Sequence, residues 1–299
     1  MFDIAPALDC AGRLLRLDRV QVMGIVNVTP DSFSDGGKHA STGAAIAHAL
    51  GLVEQGADLL DIGGESTRPG AAPVSVQEEI DRVVPVIEAL AARVAVPLSV
   101  DTFKPEVMQA ALAAGAGMVN DVQALRQPGA LEVVAASSAA VVLMHAVGGP
   151  YDAGVAHAYD DIAGEVQRFL TERLFAAEMA GIARKRLVVD PGYGFNKDTP
   201  QNFALLAAQE RLLSLGVPLL AGFSRKRCIG EVTGRADAGE RVAGSVAAHL
   251  LAVQRGAGIV RVHDVAATVD ALKVQAALAA VPAPRASTAA PKLRWPDED

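Results

Sequence analysis

The chain has 299 residues, of which 51% are hydrophobic, 20% charged and only 4% aromatic. That is long enough for one large α/β barrel domain or two ordinary domains, and apolar enough to bury a sizeable core. The 27 basic and 34 acidic side chains leave a net charge of −7, which disfavours a general nucleic-acid binder with its basic footprint but allows a local basic pocket for a small anion.

A lead-in over 1–19 precedes the first apolar run at 20–26, which reads as a buried strand. A helix-like segment follows at 42–55, then strand 59–62, helix 76–92, strand 98–100, helix 105–114, strand 117–119 and helix 129–137. Strand 140–144 leads through a longer loop at 148–159 to helix 161–180. The series ends with strand 187–189, helix 200–215, strand 218–221, helix 239–255, strand 259–262 and helix 265–280. Pro105 and Pro200 fall in the first turns of their helices, where a missing N–H costs nothing. Nearly every strand is apolar throughout, as in a parallel sheet covered by helices on its faces. Eight such units in this length predict a single-domain α/β fold, a closed (β/α)8 TIM barrel over 20–280, in preference to a doubly wound open sheet. The stretch 281–299, rich in Pro, Ala and charge, reads as a disordered tail.

The N-terminus has no charged stretch followed by an apolar one, so no signal peptide is expected. No uninterrupted apolar run approaches the ~20 residues needed to cross a bilayer. Cys10 and Cys228, the two cysteines, show no metal-ligand spacing and suit a reducing cytoplasm.

In a barrel of this kind the active site lies at the C-terminal ends of the strands. The residues that close the apolar runs are therefore the first candidates: Asn27, Asp61 with Gly63, Gly64 and Glu65, Asp101, Asn120 with Asp121, His145, Asp190, Ser224 to Lys226, and Arg261 with His263. One such residue alone could be a helix cap; polar groups at the ends of nearly all eight strands converge on one mouth. Asp101, Asn120, Asp190 and Lys226 offer donors and acceptors suited to a flat heterocycle. A guanidine-like edge would pair with the Asp190 carboxylate, and Lys226 would meet ring acceptors or flank the ring face. Arg261, His263 and Asn27 look like an anion site, since Arg and His donate to phosphate oxygens. Asn27 could also ligate Mg2+, an ion that keeps several waters and takes substrate phosphates as ligands. Two loops flank the mouth. One follows Asn27 and includes Asp31 to Asp35; the other runs over 63–71. Both exceed ordinary βα connections in length and read as lids or substrate contacts. No Ser-His-Asp elbow, zinc-binding His-Glu-x-x-His or Walker phosphate loop is present.

Taken in order, the segments 23–37, 61–70 (Asp-Ile-Gly-Gly-Glu-Ser-Thr-Arg-Pro-Gly), 99–102 (Ser-Val-Asp-Thr), 119–122 (Val-Asn-Asp-Val), 143–145 (Leu-Met-His), 190–195 (Asp-Pro-Gly-Tyr-Gly-Phe), 222–226 (Gly-Phe-Ser-Arg-Lys) and 261–264 (Arg-Val-His-Asp) resemble those of the dihydropteroate synthase family, the folate-pathway enzymes targeted by sulfonamides. The resemblance covers about 20–275. It implies a (β/α)8 barrel, usually a homodimer, and a transferase that condenses 4-aminobenzoate with the dihydropterin diphosphate, with Mg2+ as cofactor and neither nucleic acid nor membrane as partner. By position it implies a pterin pocket of Asp101, Asn120, Asp190 and Lys226, lined by Met144 and Phe195. It places Asn27 on Mg2+, and Arg68, Arg261 and His263 on the diphosphate. Phe33, Ser66, Thr67, Pro69 and the residue after Lys226 approach the aminobenzoate. Asp35 and Arg68 join Asp101, Asp190 and Lys226 as catalytic candidates. The chain departs from the family pattern at Arg227, where serine is frequent, at Ala146-Val147, where Met-Gln is common, and at Asn196, where Gly is common. Two rival readings are methyl transfer from methyltetrahydrofolate, which has no use for the anion site, and a non-catalytic pterin-binding paralogue, which should have lost part of it.

Overall fold

A computed structural model describes residues 7–29, 37–66, 72–149, 151–152 and 154–281. The lead-in carries an unexpected element: β1 (Ala7–Cys10) and β2 (Arg13–Arg16) form an antiparallel hairpin, with Leu8 opposite Leu15. After it come β3 (Gln21–Asn27), α1 (Gly37–Glu54), β4 (Leu59–Gly63), α2 (Val76–Ala91), β5 (Leu98–Asp101), α3 (Pro105–Ala113), β6 (Met118–Asp121) and α4 (Ala130–Ala135). Then follow β7 (Ala140–Met144), α5 (Ile162–Met179), β8 (Leu187–Asp190), α6 (Thr199–Ala207), β9 (Leu220–Ala221), α7 (Arg227–Thr233), α8 (Val242–Gln254), β10 (Ile259–Val262) and α9 (Val265–Ala279). The tail expected at 281–299 lies, from 282 onward, outside the described residues.

Strands β3 to β10 make one eight-stranded sheet, and their pairings are parallel. A bridge between Val189 and Leu219 joins β8 to the approach to β9 and closes the ring. The (β/α)8 barrel expected from the apolar runs is therefore present. Two expected helices are divided. The segment 200–215 breaks at Ala208 into α6 and a 3-10 stretch, Gln209–Leu215. The buried Gln209 side chain explains the break: it donates to Ala252 O and Arg255 O and accepts from the Tyr193 hydroxyl, so it must turn inward where an exposed helical face would point it out. The segment 239–255 opens with a 3-10 turn before α8, and the short α7, not anticipated, directly follows the 222–226 motif.

Side chains alternate across a strand, and this parity divides the core in two. Outward residues such as Val22, Leu60, Val100, Val119, Val141 and Val189 pack against the helices. Inward residues such as Met23, Leu59, Met118, Val142, Val188 and Ile259 fill the lower barrel together with Leu8, Cys10 and Leu15 of the hairpin. The hairpin thus plugs the N-terminal mouth. Its approach requires Gly117, because a Cβ there would fall inside the radius of the Cys10 carbonyl oxygen. With the bottom sealed by apolar side chains, the polar inward residues collect at the C-terminal mouth. Among the described residues no helix is long and apolar enough to cross a membrane.

Candidate active site

A cleft of about 550 Å³ opens at the C-terminal mouth. Counting inward positions along each strand accounts for its lining: Asn27, Asp101, Asn120, Met144, Asp190 and Arg261 are all inward tips, and all line it. His263, Ser66, Lys226 and Arg227 border it as well. The structure brings these strand-end residues together at one mouth. The same parity corrects two other candidates. Asp121 faces outward and accepts from the N–H groups of Gln123 and Leu125, both at 2.7 Å, so it shapes a turn behind the barrel wall. The His145 ring faces outward too, edge-on to Phe169 of α5 with centroids 4.9 Å apart.

Arg261 and Asp101, which line the cleft, interlock with the buried Asp61 behind them. Arg261 donates from Nε to Asp61 Oδ2 and from Nη2 to Asp101 Oδ2, each at 2.6 Å. Asn120 Nδ2 donates to the same Asp61 oxygen at 2.9 Å. Asp61 is wholly buried, whereas Asp101 keeps 20% of its side chain open. Burial pushes the Asp101 carboxyl up to about 7; Asp61, Glu79 and Asp121 add to the rise and Arg261 opposes it. Burial works against the Arg261 charge, but Asp61 and Asp101 outweigh it and raise its pKa. The two shifts pull opposite ways, one towards a neutral acid and one towards an ion pair. The upward direction at Asp101 prevails because burial outweighs the pull of Arg261, a guanidinium that Asp101 shares with Asp61. Asp61 was visible in the sequence as a strand-end acid, but its hold on Arg261 and Asn120 was not.

On the opposite wall, Asp190 Oδ1 accepts from Gly192 N at 2.7 Å. Burial raises its pKa, against the pull of Lys226, Arg261 and Lys197. Lys226 donates to the Tyr193 carbonyl and stands 4.7 Å above the Phe195 ring. Burial lowers the Lys226 pKa to about 8. Met144, Phe103, Val122 and Ala146 form an apolar patch against which Phe195 packs. This wall is therefore flat, apolar and edged by one cation and one carboxylate.

The rim carries the groups expected of an anion site. Ser224 Oγ lies 2.9 Å from His263 Nδ1 and accepts from His263 N. Arg225 forms a two-pronged pair with Asp264, with contacts of 3.0 and 2.6 Å, so it orients the turn and is already matched in charge. Arg227 is exposed at the rim, its Nε 3.2 Å from Glu231 Oε1. Among the described residues no group of three or more His, Cys, Asp or Glu side chains could cage a metal. One neutral amide oxygen, that of Asn27, at the edge of a cationic rim fits Mg2+ only if substrate oxygens and water complete the shell.

Of the expected loop residues, Phe33, Asp35, Thr67, Arg68 and Pro69 lie outside the described residues. The ends of the second loop are nonetheless well anchored. Lys104 Nζ lies 2.7 Å from Glu79 and 3.0 Å from Glu65, and Glu65 Oε1 accepts from Val74 N and from the Tyr151 hydroxyl. Sequence reasoning missed Lys104, Glu79 and Tyr151, whose only local signal is charge or ring on ordinary helix and loop stretches. Two of the departures from the family pattern touch each other. Val147 N donates to Asn196 Oδ1 at 2.9 Å, and Asn196, at φ +53°, returns its amide N–H to Asp152 O.

Comparison with known proteins agrees with this geometry. Residues 23–263 match the family model described as pterin binding enzyme. Dihydropteroate synthase of Escherichia coli strain K12 is 48% identical over 263 residues, covering 88% of this chain and 93% of that one. The structure of Xanthomonas albilineans dihydropteroate synthase with 4-aminobenzoic acid superposes with a TM-score of 0.89 at 68% identity, covering 93% of this chain and all of that one. A structure of the Xanthomonas enzyme in complex with 7,8-dihydropteroate gives a TM-score of 0.86 at 65% identity over 93% of this chain and 100% of that one. The family match begins in the strand that delivers Asn27 and ends at His263, so it spans every strand of the barrel, and the chain belongs to the dihydropteroate synthase family of pterin-binding enzymes.

Proposed function

We propose that the chain condenses 4-aminobenzoate with (7,8-dihydropterin-6-yl)methyl diphosphate, giving 7,8-dihydropteroate and diphosphate in folate biosynthesis. The observation that carries this reading is that a heterocycle-binding set and an anion-binding rim share one cleft, with Arg261 between them. Asp190 and Asn120 hold the pterin edge, Asp101 accepts a further ring N–H, and Lys226 covers the face above Phe195 and Met144. As the pterin engages Asp101, the Arg261 guanidinium loses one partner and turns to the diphosphate beside His263, with Arg68 from the second loop.

The methylene–oxygen bond then breaks, and its electron pair leaves with the diphosphate. Arg261 and His263 stabilise the growing negative charge, an electrostatic task suited to preorganised donors. The pterin delocalises the positive charge left on its methylene, and the carboxylates of Asp101 and Asp190 stabilise it. The amine nitrogen of 4-aminobenzoate attacks that carbon, forms the C–N bond and gives up a proton to water or to the departing diphosphate. Asn27 would hold Mg2+, which supplies additional charge neutralisation on the diphosphate. Phe33, Ser66, Thr67, Pro69 and Arg227 receive the aminobenzoate, and Asp35 closes with the first loop; loop closure would exclude water from the cation. The family resemblance also supports a homodimer, and the two cysteines without metal-ligand spacing suit a reducing cytoplasm.

The test is product formation from the two purified substrates, with and without Mg2+, followed by Asp101→Ala. Turnover that is lost in the variant supports the assignment. Full turnover in Asp101→Ala refutes the role of that carboxylate, and pterin binding without any product from the wild-type chain favours a non-catalytic paralogue.

A further inference from the structure

Lys197 has no task in the reaction just described, yet its ammonium is buried at the base of the pterin wall. It sits two residues beyond Phe195, at the entry to α6. Its Nζ donates to the carbonyls of Gly192 and Phe195, both at 2.9 Å, and lies 3.0 Å from His145 Nδ1. Three N–H groups thus meet three acceptors, provided that the His145 ring is neutral with its proton on Nε2. Burial, followed by the Lys197 charge, holds the His145 pKa down to about 3, which keeps that lone pair available.

The turn from Gly192 to Phe195 is gripped at every point that matters to the cleft. Its first N–H goes to the Asp190 carboxylate, its two outer carbonyls to Lys197, the Tyr193 carbonyl to Lys226, and the Gly194 N–H to Asn202 Oδ1. The backbone of His145 completes the ring, since its N–H donates to Asp190 O at 2.9 Å. The turn leaves no space for a side chain at Gly192, whose φ is +69° and whose Cβ would overlap the His145 carbonyl oxygen.

We infer that Lys197 is a positioning residue for the reaction: by clamping both ends of the 192–195 turn against His145, it aims the Asp190 carboxylate, Phe195 and Lys226 at the pterin. The inference rests on the pterin reading of the cleft. Its electrostatic side follows from the groups that face one another there. Burial lowers the Lys197 pKa to about 7, with Asp190 opposing the fall and Lys226 adding to it, so the ammonium is fully charged on the acid side of that value; there Lys226, Arg261 and Lys197 together oppose the rise that burial imposes on Asp190. On the far side, Arg126 and His157 face His145. Removing Lys197 takes away one of three cations around Asp190, so the Asp190 pKa rises further and the ionised acceptor is lost at a higher pH.

Lys197→Met keeps the length and apolar stem and removes the ammonium. It is assayed after the wild-type chain has been shown to condense the two substrates; failure at that first step refutes the activity and not the clamp. The expected result is a KM for the dihydropterin diphosphate raised roughly 10- to 100-fold, the size expected for lost hydrogen bonds from a charged group. The KM for 4-aminobenzoate at saturating pterin should change little, and the acid limb of kcat/KM for the pterin should move to higher pH. His145→Ala, which removes one acceptor and leaves Lys197 in place, should raise the same KM less and decides the matter should Lys197→Met not fold. A folded Lys197→Met, or His145→Ala in its place, with lowered thermal stability but wild-type pterin KM and an unmoved acid limb would overturn the inference and leave Lys197 a stability residue only.

Discussion

Pterin binding should expel a proton from Asp101. In the free site its carboxyl sits at about 7, raised chiefly by burial and further by Asp61, Glu79 and Asp121. A ring N–H needs an ionised acceptor, so below that value the bound proton must leave first. Each pH unit below 7 then weakens binding about tenfold, or ~1.4 kcal/mol. At pH 5 the affinity should be roughly 100-fold below its plateau above pH 8. Calorimetric titration with a dihydropterin that lacks the diphosphate measures this without turnover, in two buffers of different protonation enthalpy and after correction for the ligand's own titration. The heat difference should correspond to about half a proton released near pH 7. Asp101→Asn should bind more weakly at pH 8 but with a shallower pH dependence; Asp190, also raised by burial, accounts for the slope that remains. Affinity independent of pH from 5 to 8, or an unaltered slope in Asp101→Asn, would refute the reasoning. The free protein carries the complementary signature. Because the folded pKa lies above the ordinary aspartate value of 3.8, the folded state holds the proton more tightly than the unfolded chain. The stability from this group is full below 3.8 and is lost as pH rises through about 7.

Asp61→Asn keeps the shape of the residue that holds Arg261 and Asn120 but removes its charge. It should lower the thermal midpoint and, because Asp61 helps to raise Asp101, move the calorimetric pH midpoint down. Gly192→Ala should abolish pterin binding in an otherwise folded barrel, as read by far-UV circular dichroism beside calorimetry, since the new Cβ meets backbone that cannot yield. Gly117→Ala should act at the other end. It lifts the hairpin from the barrel floor, uncovers Leu8, Cys10 and Leu15, and should destabilise by roughly 3–5 kcal/mol in denaturant unfolding while leaving kcat/KM near wild type below the transition. Arg227→Ser should raise the KM for 4-aminobenzoate by roughly 2- to 5-fold, the modest effect expected of an exposed charge, and leave pterin binding unchanged.

The barrel and most of its mouth were legible because each strand is a short apolar run that stops at a polar residue. That signal is local. It cannot by itself tell an inward tip from an outward one, which is why Asp121 stood beside Asn120 as an equal and His145 stood for its strand until parity turned both outward. The lead-in hairpin escaped notice because its strands are only four residues long, one of them Arg-Leu-Leu-Arg, a pattern that no period distinguishes. Gln209 broke a continuous helical pattern from inside, through partners in α8 and at its C-terminal end that no local window contains.

The contacts that organise the site are hidden for a further reason. Asp61 and Arg261 are 200 positions apart in sequence, yet only β3 separates their strands in the ring. Register makes the contact derivable in principle: Asp61 lies two residues before the inward tip Gly63, so it too faces inward, one layer below Asp101, and Ser99 is its neighbour on β5. A rule that reads the polar end of each strand finds Asp61 beside the groups that line the cleft, but not that Asp61 lies a layer beneath them and holds Arg261 and Asn120. Lys197 escapes that rule altogether, because it lies on no strand. A lysine just after a glycine-rich turn ordinarily reads as solvated, and only the three acceptors closed around its ammonium reveal it as part of the wall. The groups that line the cleft are therefore encoded at strand tips, where sequence can be read, and the pairings that hold them in place lie between segments that no local pattern connects.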